Sequence, residues 1–282
     1  MSYFYVKFNF IIIILVLCTI NTIAQPALQK QKKIADSLYE SRNYFDAITE
    51  YKRLVFFDKD SNYFFHSYFQ IGMCYKNGAL LDDAIKHFAK AVWFADSKEE
   101  LFNTKIQIVR TNILRRTTRQ SIYLLDQLNM EFADSNYQKE IFYWRGWSYI
   151  FSDEWKNAAL EFAKIDQNHE LKALCEQVED EKYSVTFAKL ISYILPGFGQ
   201  FYTGEVLSGL MSLSWNLLWG YTTINAFQEN RNFDGIAVGS LLWMRFYRGN
   251  IQNAQKFAEE RNIEITNKTL RYLQNDFNGE KP

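Results

Sequence analysis

The sequence predicts an all-α protein in which a solenoid of helical hairpins is followed by a C-terminal apolar helical hairpin. Only three prolines and twelve glycines occur in 282 residues, so long helices meet few breakers. Between Tyr68 and Ala91, apolar residues recur at the i, i+3, i+4, i+7 spacing on both sides of Asn77-Gly78, which predicts two helices joined by a turn. Beyond Phe187 the composition becomes strongly apolar, which marks a separate C-terminal module.

The predicted helix pair recurs at a fixed step of 37 residues, the mark of a repeat array. A small residue recurs as Ala47, Ala84, Ser121 and Ala158. A large residue recurs as Tyr51, Phe88, Leu125 and Phe162. A third position holds Tyr44, Leu81, Thr118 and Trp155, and Gly72 and Tyr75 recur as Gly146 and Tyr149.

This step and these packing residues resemble the tetratricopeptide repeat. The resemblance implies four helix pairs over residues 25–168, of which the second and fourth agree best with the family pattern. The third pair departs most, with Lys105 at a position where a bulky residue is usual, Val109 in place of Gly and Asn112 in place of Tyr. The polar segment 169–186 is expected to form the capping or linking helix that a repeat array needs at its end.

The same resemblance implies a groove for a protein partner, because the first helices of such pairs line a concave face. The predicted groove is polar at its start and apolar towards its end, which suits an apolar peptide or a partner helix. An alternative is that the following domain covers the apolar end. The groove residues expected to bind a partner are Phe69, Met73, Ile106, Arg110, Tyr143, Trp147, Ile150 and Phe151.

The N-terminus has the pattern of a secretory signal peptide spanning residues 1–24. Lys7 precedes an apolar run from Ile11 to Leu17, and Thr22-Ile23-Ala24 provides the small-residue spacing of a cleavage site. An uncleaved anchor and a lipidated Cys18 are the alternatives. The protein is therefore expected to be exported to the cell envelope, facing the periplasm.

Residues 187–262 are expected to form a membrane-associated helical module, followed by a polar tail at 263–282. Val206 to Gln228 is uncharged over 23 residues, or about 34 Å of helix at ~1.5 Å per residue, which exceeds a bilayer core of about 30 Å. A soluble helical domain is the alternative, since Asn216 and Asn225 interrupt the apolar run.

The turn before this run resembles the P-G-x-G-Q-x-Y-x-G signature of small bacterial two-helix membrane modules, a family to which no catalytic chemistry is generally assigned. The residues that carry the resemblance are Pro196, Gly197, Gly199, Gln200, Tyr202, Gly204 and Gly209. Tyr247-x-Gly249-Asn250 with Ala254 is the expected closing part of the motif. Gln200 is expected to bond to the free backbone groups of the turn, and Gly235-x-x-x-Gly239 allows close helix contact within the hairpin or between copies.

Composition and motifs give no support for catalysis. The 32 basic and 32 acidic residues balance, so nothing favours a nucleic-acid partner, and the three histidines stand at spacings that no metal site uses. Cys74 and Cys175 are expected to be buried thiols. We therefore expect no cofactor and no catalytic site, and interpret the chain as a membrane-associated adaptor for protein partners. The alternatives are an envelope transport or assembly factor that acts through its hairpin, and a soluble exported binding protein.

Overall fold

The computed structural model describes residues 26–282, and every regular element in that range is helical. The predicted all-α class is confirmed, whereas the predicted signal peptide lies outside the described residues. The chain divides into two compact units, the first ending at Lys172 and the second spanning Ala173–Lys281. Each unit is described by itself below.

The first unit is an array of four helix pairs. Its helices are α1 (26–40), α2 (Tyr44–Phe57), α3 (Phe64–Asn77), α4 (Leu81–Val92), α5 (Lys98–Leu114), α6 (Thr118–Glu131), α7 (Ser135–Phe151) and α8 (Trp155–Ile165). The second helices α2, α4, α6 and α8 begin at Tyr44, Leu81, Thr118 and Trp155, which are the four residues of one predicted repeat position. The register of 37 residues therefore extends to the first residue of each second helix.

The two helices of a pair approach closely where a small residue faces a large one. A Cβ atom added to Gly72 would lie 2.6 Å from the ring of Phe88, and one added to Gly146 would lie 2.5 Å from the ring of Phe162. In the third pair, Val109 and Leu125 occupy the equivalent positions and both are fully buried. A larger first residue thus accompanies a smaller second one, which explains how the third pair keeps the fold without its glycine.

The turn inside each pair has the same backbone conformation. Arg42, Ala79, Arg116 and Asp153, again one step apart, have φ between 59 and 65°. The following N–H closes the turn in each case, as Leu80 does by donating to the carbonyl of Tyr75 at 2.9 Å. The turn predicted at Asn77-Gly78 is present, but Gly78 has φ −82° and Ala79 takes the left-handed conformation.

The second unit consists of the end of α9 (Glu170–Glu181) and five further helices. These are α10 (Val185–Ile194), the short α11 (Phe198–Tyr202), α12 (Val206–Gln228), α13 (Asn232–Val238) and α14 (Met244–Asn275), with a π-helical turn at Gly239–Trp243 between the last two. Helix α14 continues beyond the predicted limit at residue 262, because apolar residues recur on one face as far as Leu273, which is buried.

Helices α12 and α13 pack against each other, and the glycines of α13 and of the π-helical turn lie at this contact. A Cβ added to Gly235 would lie 2.9 Å from the ring of Phe227, and one added to Gly239 would lie 3.0 Å from the side chain of Thr223. In residues 26–282, no helix is at once long and apolar enough to cross a membrane. The expectation that Val206–Gln228 spans a bilayer is therefore corrected, since Asn216, Asn225 and several Ser and Thr residues make this helix too polar.

Candidate functional site

The predicted groove residues lie on α3, α5 and α7, the first helices of the last three pairs. We call the surface that they form, together with Asp36 on α1, the first-helix face. Polar side chains of successive first helices contact one another along it. His66 on α3 lies 2.8 Å from the Asp36 carboxylate on α1, and Lys76 on α3 donates to Gln107 on α5 at 3.1 Å. The structure therefore brings residues of adjacent repeats together on one surface.

The polar start of this face centres on the carboxylate of Asp36. It accepts hydrogen bonds from Lys32 at 2.7 Å and from the hydroxyl of Tyr51 at 2.7 Å, besides its contact with His66. Burial by itself raises the pKa of Asp36, but these three hydrogen bonds outweigh it and the pKa lies below its ordinary value. The carboxylate is therefore ionised at neutral pH and joins α1, α2 and α3.

For His66, the effect of burial on the pKa is larger than the effect of its hydrogen-bond partner. Burial lowers its pKa and outweighs the Asp36 carboxylate, which raises the pKa through a hydrogen bond and its charge. The nearby Lys32 lowers it further. At neutral pH the imidazole is uncharged, so its contact with Asp36 is a hydrogen bond and not an ion pair.

The apolar end of the face is more deeply buried than the sequence predicts. Ile106, Trp147 and Ile150 are 1%, 2% and 1% exposed, so they offer no surface to a partner. Half-buried side chains remain along the face, and the Arg110 guanidinium lies 4.4 Å from the ring centre of Trp144. The half-buried groove residues are Phe69, Met73, Arg110, Tyr143 and Phe151.

A second candidate region is the turn between α10 and α12. Gly197 has φ 95°, a conformation that favours glycine, and its N–H donates to Asn250 Oδ1 at 2.7 Å. The Asn250 Nδ2 donates to the carbonyl of Ser192 at 2.9 Å, and the hydroxyl of Ser212 donates to its Oδ1 at 2.9 Å. One fully packed asparagine side chain therefore holds the turn, α10 and α12 together.

Gln200 has a different role from the predicted one. Its amide donates to the carbonyl of Asn250 at 3.1 Å, whereas the backbone of the turn is bound by Asn250 and by Ser192, whose hydroxyl accepts the Gly199 N–H at 3.1 Å. The sequence could not show this, because Asn250 lies far along the chain and only the fold brings it to the turn.

Two further motif residues fit tightly into the same junction. A Cβ added to Gly199 would lie 2.6 Å from that of Ala254, which leaves no room for a larger residue. The hydroxyl of Tyr202 accepts the N–H of Ser184 at 3.0 Å. The region thus joins α10, α11, α12 and α14, and its geometry supports a structural role.

Helix α12 buries small and polar residues and exposes large apolar ones, the reverse of the usual arrangement in a water-soluble protein. Its buried face, which packs against other helices of the second unit, carries Gly209, Asn216, Gly220, Thr223 and Ala226. The opposite face carries large apolar residues, and Leu207, Leu217 and Tyr221 are 73%, 64% and 70% exposed. Leu210, Met211, Leu218 and Ile224 are also exposed there. This helix therefore presents its apolar side outward.

The thiols of the described residues have no reactive environment. Cys74 and Cys175 are both buried and free, as predicted, and burial raises the pKa of each to about 12. No group of three or more His, Cys, Asp or Glu side chains within residues 26–282 is placed to hold a metal ion.

Comparisons with known sequences identify no family for the chain. No model of a known protein family matches it, and no curated protein matches its sequence. Among solved structures, a tetratricopeptide repeat protein from Parabacteroides merdae is similar to this chain at 13% identity and a TM-score of 0.45. The similarity covers 89% of this chain and 94% of that protein. The assignment of the first unit to tetratricopeptide-like helix pairs rests on the 37-residue register and the contacts described above.

Proposed function

We propose that the protein is a non-enzymatic adaptor whose first-helix face holds a segment of a protein partner. The observation that carries this proposal is the run of contacts between successive first helices, Asp36 with His66 and Lys76 with Gln107. These contacts join neighbouring repeats into one surface that can bind an extended segment or a helix along several repeats.

The partner segment is expected to present apolar side chains. Phe69 and Met73 are half-buried on α3, where they combine an accessible apolar surface with a rigid helical support. Arg110 on the next first helix lies over the Trp144 ring and adds a cationic group to the half-buried part of the face.

Quantitative co-purification from the cells that produce the protein tests this proposal. The Met73→Glu variant places a charge on the face and is expected to lose proteins that the wild type retains, whereas Asn103→Ala, an exposed change on α5 away from the predicted groove positions, retains them. Equal retention by Met73→Glu, with unchanged helical content, would contradict the proposal.

We propose also that the second unit associates with a membrane through the outer face of α12, without crossing it. Water disfavours a helix that buries Asn216 and Thr223 while it exposes Leu207, Leu217 and Tyr221. Lipid hydrocarbon favours that arrangement, because small and polar residues then pack between helices and large apolar ones face the acyl chains.

Export to the envelope, facing the periplasm, is part of the proposal and is supported by the pattern of residues 1–24. An envelope transport or assembly factor would use the same face to contact a membrane complex.

Flotation with vesicles of phosphatidylethanolamine and phosphatidylglycerol tests the membrane proposal. The wild type is expected to float, and Leu210→Glu combined with Leu217→Glu is expected to remain largely at the bottom of the gradient. The control, Phe45→Glu with Met130→Glu, changes two apolar residues of the first unit that are even more exposed, and it should float. Flotation of both variants alike would refute a role for α12.

A further inference from the structure

The repeat position of Tyr68 holds an aromatic ring in two of the four pairs. In the second pair, Tyr68 stacks on Phe94 with ring centres 5.7 Å apart, and Lys90 Nζ lies 5.5 Å from the Tyr68 ring. In the fourth pair, Phe142 occupies the same position and Lys164 Nζ lies 5.2 Å from its ring. An aromatic ring in contact with a lysine ammonium group therefore occurs at this repeat position in two of the four pairs.

The third pair has an ion pair at these positions. Lys105 stands where Tyr68 and Phe142 stand, and it pairs with Glu131, which occupies the position of Phe94. A cavity of about 230 Å³ opens beside them. Its walls are mostly apolar and come from α4, α5 and α6, with Val92, Ile108, Leu124 and Leu128 among the residues that line it.

The cavity is large enough for a six-membered ring. An engineered apolar protein cavity of about 150 Å³ takes up benzene, so the volume here exceeds what one ring needs. The aliphatic walls suit an uncharged ring, and the neighbouring pairs show that this repeat position accommodates one. The ion pair at the rim leaves the interior apolar.

A row of exposed apolar residues runs past this cavity. Phe56, Trp93 and Met130 occupy one repeat position in three successive pairs and are 79%, 86% and 83% exposed. Single exposed apolar residues are ordinary, but three at the repeat step form an extended feature at the C-terminal ends of the second helices. Trp93 also lines the cavity, so the row and the cavity are one surface.

We propose that this surface binds an aromatic side chain of a partner polypeptide, with the ring in the cavity and adjacent apolar residues of the partner along the row. A polypeptide is the occupant because the row extends over three repeats, farther than one small ring can cover. The site is separate from the first-helix face, and neither proposal depends on the other.

Calorimetric titration of the full chain with acetyl-Leu-Gln-Phe-Gln-Leu-amide tests the proposal. Saturable binding is expected, at least tenfold weaker for the same peptide with Ala in place of Phe. Lys105→Phe fills the cavity from within, as Phe142 does in the fourth pair, and should weaken binding at least tenfold without lowering the melting temperature. Lys105→Ala removes the ion pair but leaves the cavity open, so it should retain binding, and so should Met73→Glu on the first-helix face.

Four results would overturn the proposal: no saturable binding, binding unaffected by Lys105→Phe, equal binding of the Ala peptide, or p-cresol binding as tightly as the Phe peptide. The last would identify a site for a free aromatic molecule. Sedimentation of the unliganded chain provides a further check. Self-association that Lys105→Phe abolishes would be a fifth such result, because a second copy of the chain would then be the occupant.

Discussion

Gly72 lies flat against the ring of Phe88, so close that a Cβ atom at this glycine would fall 2.6 Å from two ring carbons. The same relationship joins Gly146 to Phe162 two repeats later. In the third pair, Val109 stands in place of the glycine and Leu125 stands in place of the phenylalanine. The first unit thus preserves the combined fit of two positions and not the identity of either.

This exchange predicts a compensating pair of substitutions. Gly72→Val should destabilise the first unit by about 1–3 kcal/mol, because the added side chain overlaps the ring of Phe88. Adding Phe88→Leu recreates the combination of the third pair and should recover part of that loss. Urea denaturation of the two single variants and the double variant measures the coupling, and strictly additive effects would argue against direct contact between the two positions.

The left-handed residues of the turns predict that glycine stabilises the array. Ala79 has φ 60°, a conformation that costs an L-residue roughly 1 kcal/mol, so Ala79→Gly should raise the free energy of unfolding by up to about that amount. Asp153 is the informative comparison, because its carboxylate accepts a hydrogen bond from the Trp155 indole at 2.6 Å. Asp153→Gly should therefore gain less, and thermal unfolding of both variants measures the difference. A lower melting temperature for Ala79→Gly would contradict the assignment of the turn.

Asn250 should be the most sensitive polar residue of the second unit. Asn250→Ala removes the acceptor of the Gly197 N–H and the donor to Ser192, and buried groups left without partners cost about 1–3 kcal/mol each. Hydrogen exchange at the Gly197 amide should accelerate markedly. Asn253→Ala, an exposed change on the same helix, should leave that exchange unaltered. Unchanged protection of Gly197 in Asn250→Ala would show that the turn has another support.

The stability of the first unit at low pH should depend on Asp36 and on the side chains that contact it, namely Lys32, Tyr51 and His66. A histidine with a lowered pKa binds its proton more readily in the unfolded chain, so the contribution of His66 to stability is full above about pH 6.5 and is lost as pH falls towards its folded pKa. Asp36 has a lowered pKa too, and its contribution persists above the ordinary carboxyl range and is lost as pH falls through the folded value. Both therefore make the first unit less stable in acid.

Nuclear magnetic resonance titration of His66 tests the balance within this cluster. Asp36→Asn removes a charge that raises the pKa of His66, so the pKa should fall further. Lys32→Gln removes a charge that lowers it, so the pKa should rise. Shifts of the same sign in the two variants would contradict the arrangement of these three side chains.

The sequence predicted the elements that depend on local periodicity, and the repeat step placed Ala84 and Phe88 with their counterparts in the core. It did not predict which residue of each turn is left-handed, because Arg42, Ala79, Arg116 and Asp153 are not of one residue type that favours this conformation, and the two flanking helices impose it. The hydrogen bonds of Asn250 to Gly197 and Ser192 join segments that are distant in sequence, so the sequence alone could not predict them. The pattern places Trp147 at the apolar end of the groove and leaves open whether that end is covered, because periodicity identifies a helix face but not how deeply that face is packed. The apolar run of α12 suggested a span, whereas the fold directs its polar residues inward.

Site-specific photo-crosslinking in the cells that produce the protein tests the account of two separate binding surfaces most directly. Benzoylphenylalanine would replace Met73 on the first-helix face, Leu217 on the outer face of α12, or Lys98, an exposed residue outside both surfaces. We expect discrete protein adducts from position 73, lipid adducts from position 217, and neither from position 98. The same adducts from positions 73 and 98 would contradict the adaptor function, and the absence of lipid adducts at position 217 would contradict membrane association.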